Sequence, residues 1–181
     1  MPDLNFCSLD RRFGLSVPSR VVDGILSVCG PAGPSETGGV LVGHYSKRHD
    51  CALVTSFSGP PSDSKAGPTW FERGVTGIGT WLKSLWIKQA DYYLGEWHFH
   101  PGGAPVMSPR DIEEMSSISR SRIYKCPEPV LLIIGGIVPD KWHPGAYVFP
   151  KSGTYLELKT GSRSPKHRKQ LKHDKRSTSP N

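Results

Sequence analysis

Two histidines separated by one residue, His98 and His100, end a run of strand-favouring residues that includes Tyr92, Tyr93, Leu94, Trp97 and Phe99. Pro101-Gly102-Gly103 then breaks the run. Side chains alternate along a strand, so both imidazoles project to one side, about 6.5–7 Å apart at their Cα atoms. Two imidazoles so placed at a strand end can grip one metal ion. Eight residues after His100, Ser108-Pro109-Arg110-Asp111 has the chemistry of a helix start: Ser108 suits the N-cap, Pro109 the first helical position, and Asp111 falls in the first turn. If that helix packs back on the strand end, Asp111 supplies an oxygen ligand. Two His and one carboxylate with an open fourth position form a catalytic zinc set, although iron or manganese also suits these donors.

The elements that must position these groups are short and mixed. Val21, Val22, Ile25, Leu26 and Cys29 recur at helical spacing after Val17-Pro18-Ser19, predicting a helix that Gly30 ends. Gly39–Tyr45 and Ala52–Ser58 read as a hairpin, and Gly59–Pro68 as an exposed loop. Ile78, Trp81, Leu82, Leu85 and Trp86 mark one apolar helix face, expected to lie in the core. The helix from Ser108 buries Ile112, Met115 and Ile118 or Ser119. Val130–Ile134 is a continuous apolar run, as in a central strand covered on both faces. Ala146–Phe149 and Tyr155–Leu158 suggest a closing hairpin, and Met1–Arg12 an edge strand or loose arm. Together they predict an α+β fold, a mixed sheet sandwiched by helices.

At 181 residues a single domain is expected. Of the net charge of +7, +6 falls in residues 161–181, where seven Lys/Arg meet one Asp. The expectation is therefore a near-neutral domain over 1–160 and a solvated, disordered basic tail over 161–181. The tail lacks aromatic residues for base stacking and an apolar face for a membrane, so nucleic acid and lipid are disfavoured as partners. Cys7, Cys29, Cys51 and Cys126 show no C-x-x-C spacing and read as small buried hydrophobes. Met1–Arg12 has no apolar core of signal-peptide length, and Val130–Ile134 is too short to span a bilayer, so a reducing cytoplasm is the expected location.

Other His-x-His folds fit poorly. An amidohydrolase barrel needs about 250 residues. A metallo-β-lactamase-like site needs further Asp and His where Pro-Gly-Gly follows, and a zinc deaminase needs His-x-Glu with Pro-Cys-x-x-Cys. His44, His49 and His143 have no partner at ligand spacing and read as surface or loop residues. Glu96 shares the face of His98 and is a carboxylate that can reach the site or support a His from behind.

His98-x-His100-Pro101, six intervening residues, then Ser108-x-x-Asp111 resembles the signature of the JAMM (JAB/MPN+) metalloproteases. Glu36 in Ser35-Glu36-Thr37-Gly38-Gly39-Val40-Leu41-Val42-Gly43 resembles that family's upstream glutamate segment. The resemblance spans roughly Pro18 to Leu158. Gly95-Glu96-Trp97-His98-x-His100-Pro101 is most similar to bacterial JAB-domain deconjugases encoded beside ubiquitin-like conjugation genes, some in cyclic-oligonucleotide antiphage (CBASS) operons. Phe99 stands where many members carry Ser or Thr. It faces away from both His, so a packing difference is expected.

The resemblance implies an MPN-type fold and Zn2+ held by His98, His100 and Asp111. It also implies Glu36 as general base and Ser108 as the donor to the oxyanion. The substrate class it implies is a peptide or isopeptide bond after the C-terminal glycine of a ubiquitin-like protein. The expected partners are that protein or its conjugate, a nucleotidyltransferase target, and activating (E1-like) and conjugating (E2-like) enzymes of the same operon. Sulfur-carrier processing, a catalytically silent MPN scaffold, and a nucleic-acid module acting through the tail are the alternatives.

Overall fold

The computed structural model describes residues 2–161. The elements are β1 (Leu4–Cys7), β2 (Gly14–Val17), α1 (Ser19–Ala32), β3 (Thr37–Tyr45), β4 (Ala52–Phe57), β5 (Lys65–Gly67), β6 (Trp70–Glu72), α2 (Ile78–Gln89), β7 (Tyr92–Pro101), α3 (Pro109–Arg120), β8 (Val130–Ile137), β9 (Lys141–Val148) and β10 (Leu156–Thr160). Eight strands form one closed sheet in the order β1-β10-β9-β8-β7-β3-β4-β2, while β5 and β6 make a separate two-stranded ribbon. Pairing is antiparallel except at β7–β8 and β2–β4.

The architecture is α+β with a mixed sheet and three helices, as expected, but the sheet closes into a barrel instead of lying open as the middle of a sandwich. Closure depends on β1, which pairs with both β2 and β10. Four residues with no hydrophobic period gave little hint of that double role. The helices still cover two different faces. α1 buries Val21, Val22, Ile25, Leu26 and Cys29 in a cluster with Trp97, Phe99 and Leu132. Met115 and Ile118 of α3, with partly buried Ile78, Trp81, Leu82 and Leu85 of α2, pack on the other face over Val40, Leu131 and Ile133. β8 lies between β7 and β9 and buries Val130–Ile134 completely, which accounts for its unbroken apolar run.

Three local expectations change. α1 continues through Gly30 and Pro31 to Ala32, and Gly33, at φ +60, ends it with its N–H on the Gly30 carbonyl. The segment expected to be a loop over Gly59–Pro68 contributes β5, paired with β6. The apolar stripe of α2 has no fully buried member, and Trp86 is 58% exposed, because α2 lies on the rim of its cluster. The hairpin expectations hold: β3 pairs with β4, and β9 with β10. None of the four cysteines forms a disulfide; Cys29 and Cys126 are buried, Cys7 and Cys51 partly so. The basic tail lies outside the described residues.

β7 carries a bulge. Gly95 pairs with Leu41 while Tyr93 pairs with Val42, so Leu94 is the extra residue. Gly95 sits at φ +152, and a Cβ there would lie 1.8 Å from the Val130 carbonyl oxygen, so only glycine fits. The bulge resets the alternation: Leu94, Trp97 and Phe99 enter the α1-side cluster, whereas Tyr93, Glu96 and His98 face the α2–α3 side. Truncating the centre of β8 tests the packing: Leu132→Ala should lower the unfolding free energy by about 3 kcal/mol in urea titrations, through lost burial and a cavity.

Candidate metal centre

The end of β7 and the start of α3 bring the sequence-predicted donors together. The ligand atoms of His98, His100 and Asp111 lie within 4.8 Å of one another. His98 and Asp111 are buried and His100 partly so. β7 and β8 run parallel with His98 opposite Ile133 and His100 opposite Gly135. Gly135 lets the next loop fold over: a Cβ there would meet Pro105 N at 2.6 Å and Ala104 C and Gly103 O at 2.7 Å. Gly102 N–H donates to the Gly136 carbonyl, and the Tyr147 hydroxyl to the Pro105 carbonyl at 3.0 Å. The loop that joins His100 to Ser108 is thus pinned to β8 and β9.

At the helix start Ser108 forms the expected N-cap with Pro109 behind it, and Asp111 completes a capping box. Asp111 Oδ2 accepts from the Ser108 backbone N–H and from its hydroxyl, both at 2.7 Å, while Ser108 Oγ accepts from Asp111 N–H at 3.2 Å. One carboxylate oxygen is therefore anchored and the other, Oδ1, is turned toward His98. His98 Nδ1 lies 2.9 Å from Oδ1, yet this buried nitrogen has no hydrogen-bond partner. The two atoms are close without being aligned for a hydrogen bond, an arrangement that suits two donors to one cation. His100 Nδ1 faces the Ala104 carbonyl at 3.3 Å, which leaves its Nε2 available as a ligand atom. These residues fit a divalent ion.

Glu36 immediately precedes β3, its backbone N–H bound to the Gly67 carbonyl of the ribbon at 2.9 Å. It is half-buried, and burial together with the Asp111 charge raises its pKa above the usual glutamate value despite His98 nearby. A carboxylate with a raised pKa beside the donor cluster is suited to accept and return a proton. Burial alone would lower the His98 pKa, but the close carboxylates of Asp111 and Glu96 outweigh it and lift the value to about 9. Burial opposes ionisation of Asp111 as well, yet His98 and the Ser108 donors bring its pKa down to about 2. Burial lowers the His100 pKa.

Phe99 is buried in the α1-side cluster, away from both ligands, consistent with a packing role. Spacing did not point to two neighbours of the centre. Phe71 of β6 sets its ring edge-on against His98, with centroids 5.8 Å apart. Arg73 reaches Glu96. Both sit in the stretch around the ribbon, whose sequence signals only turns and polarity. His44 is exposed, as expected of a surface histidine, and it has a partner. Its ring is half-exposed, but Nδ1 is 2.9 Å from Asp91, a buried carboxylate that also accepts from Thr55 Oγ1 at 2.5 Å. His49 and His143 are exposed.

A proton on His98 and a metal ion compete for the same nitrogen. In metal-free protein the raised His98 pKa stabilises the fold fully below pH 6.5, and that contribution is lost as pH rises through about 9. Urea unfolding in excess chelator should show stability falling between pH 6.5 and 9, by on the order of 3 kcal/mol at most. Metal affinity should rise over the same interval, and His98→Ala should abolish both trends.

Comparison with known proteins agrees with this arrangement. A family model described as prokaryotic homologues of the JAB domain matches residues 18–145. A CD-NTase/cGAS isopeptidase of Enterobacter hormaechei is 38% identical over 157 residues, covering 87% of each chain. A probable metalloprotease, y4qB, of Sinorhizobium fredii is 26% identical over 141 residues, 73% of this chain and 81% of that one. The solution structure of protein DSY2949 from Desulfitobacterium hafniense shares the fold at TM-score 0.52 and 20% identity, covering 78% of this chain and 87% of its own. The chain belongs to the prokaryotic JAB-domain family and is a peptidase of the JAMM metalloprotease type.

Proposed function

We propose that the protein is a zinc-dependent isopeptidase that cuts after the C-terminal glycine of a ubiquitin-like protein, within a bacterial antiphage pathway in the cytoplasm. The observation that carries the reading is the grouping of His98, His100 and Asp111 ligand atoms within 4.8 Å of one another, with Glu36 close enough to feel the charges of His98 and Asp111. The relative at 38% identity, an isopeptidase named for CD-NTase/cGAS, supports a CD-NTase as the lysine-bearing side of the scissile bond, with the C-terminal glycine of a ubiquitin-like protein on the other. The catalytic unit is residues 1–160; residues 161–181 are dispensable for cleavage. Among the described residues no helix is long and apolar enough to cross a membrane, in keeping with that setting.

His98, His100 and Asp111 would hold the ion. When bound, it supplies Lewis-acid polarisation of the scissile carbonyl and lowers the pKa of the attacking water from about 15.7 to roughly 7. Glu36 takes the proton of that water and then delivers it to the departing lysine amine. Its raised pKa keeps the returned proton within reach of an amine leaving group. Ser108 has two tasks. Its hydroxyl hydrogen anchors Asp111 Oδ2 at rest and turns to the developing oxyanion, a donor worth roughly 3 kcal/mol in the transition state. No covalent intermediate forms, so no cysteine takes part.

The test is cleavage of a defined conjugate, a ubiquitin-like protein joined through its C-terminal glycine to a lysine of a CD-NTase, read on a denaturing gel. The zinc-loaded protein should separate the two chains. A chelator and His100→Ala should each stop the reaction. Glu36→Gln should slow it roughly 10²–10⁴-fold with zinc content unchanged. Deleting residues 161–181 should leave the rate intact. Zinc-loaded Glu36→Gln working at the wild-type rate would exclude the proposed proton transfer.

A further inference from the structure

Behind His98 lies a buried ion pair that binding an ion does not by itself require. Arg73, one residue beyond β6, and Glu96 of β7 have side chains only 10% and 6% exposed. Burying both charges costs several kcal/mol per ion before pairing repays it, and a well-packed apolar pair of similar volume is often as stable or more so. The pair therefore calls for an explanation other than stability.

Its geometry supplies one. Glu96 Oε1 is claimed three times: by Arg73 Nε at 2.9 Å, Arg73 Nη2 at 2.8 Å and the Tyr93 hydroxyl at 3.2 Å. Arg73 is itself fixed by the Gly74 carbonyl at 2.9 Å and the Tyr124 hydroxyl at 3.2 Å. Oε2 is thereby aimed at the far side of the His98 ring, 3.9 Å from Nε2. Nε2 is the nitrogen opposite the one that converges with Asp111 Oδ1. Arg73 also follows Phe71, whose ring packs edge-on against the same imidazole, so one clamp restrains the ring from two directions.

Resting on the metal-centre reading of His98, we propose that Glu96, locked by Arg73 and Tyr93, is a positioning residue: its carboxylate keeps the Nε2–H of His98 toward itself and so presents Nδ1 as the ligand. At 3.9 Å the hold is through charge more than through a formed hydrogen bond. Glu96 touches neither substrate nor ion; it acts through His98.

The experiment uses the full chain and Zn2+ alone. Zinc affinity is measured by competition with a chromophoric chelator, melting is followed without metal, and imidazole ¹H–¹⁵N spectra are recorded with zinc. The Arg73→Met/Glu96→Leu double variant should melt, metal-free, at or above the wild-type temperature, while its zinc affinity falls roughly 10–100-fold. Glu96→Gln, which keeps shape but not charge, should lose less affinity and show faster exchange of the His98 Nε2 proton. Should the double variant not fold, Glu96→Gln decides alone. Unchanged zinc affinity in the folded variants, with an unperturbed His98 signal, overturns the proposal. Wild-type protein that binds no zinc refutes the metal centre itself, and this proposal with it.

Discussion

The site depends on one buried imidazole held between two carboxylates. His98 has Asp111 on its Nδ1 side and Glu96 on its Nε2 side, and it is shut off from water. Each carboxylate has one oxygen anchored elsewhere, Oδ2 by Ser108 and Oε1 by Arg73 and Tyr93, and the other turned to the ring. Negative charge so concentrated in a region of low polarisability must be balanced. Arg73 offsets Glu96, a proton on His98 offsets Asp111 in the metal-free state, and a divalent ion shared with His100 would replace that proton. The raised histidine pKa and the proposed metal affinity thus have a single origin.

The fold serves that constraint through two departures from regularity in neighbouring strands. The bulge at Leu94–Gly95 changes the phase of β7, so that the hydroxyl of Tyr93 and the carboxylate of Glu96 share a side of the sheet with His98. Gly135 in β8 leaves room for the backbone of residues 103–105, which closes over His100 on its way to α3. Neither feature adds much stability on its own. Both fix positions that a regular ladder would place elsewhere.

Much of this was legible in the sequence, for reasons that differ by residue. His98 and His100 were readable because a strand has period two and ends at Pro101-Gly102-Gly103; Ser108, Pro109 and Asp111 because helix starts have their own chemistry. Glu36 was visible only through family resemblance, since a lone glutamate before a strand carries no local signal. Arg73 and Phe71 were not visible, because they belong to a two-stranded ribbon of three-residue strands, too short for periodicity to register. Barrel closure was missed for a similar reason: β1 earns its place through non-local pairing with β10, about 150 residues along the chain, and nothing within four residues encodes that. The bulge in β7 escaped because Gly95 reads equally well as a weak strand residue.

The capping box at the start of α3 ties catalysis to a helix end. Asp111 is at once the residue that seals the first turn and the oxygen donor that faces His98. Helix termini fray more readily than helix middles, and the four leading N–H groups have no partners from their own helix. On the proposed reading, fraying of that turn and dissociation of the cation would be one event, since Asp111 serves both. An occupied centre would therefore lock α3 at its base, and an emptied one would let its first turn open.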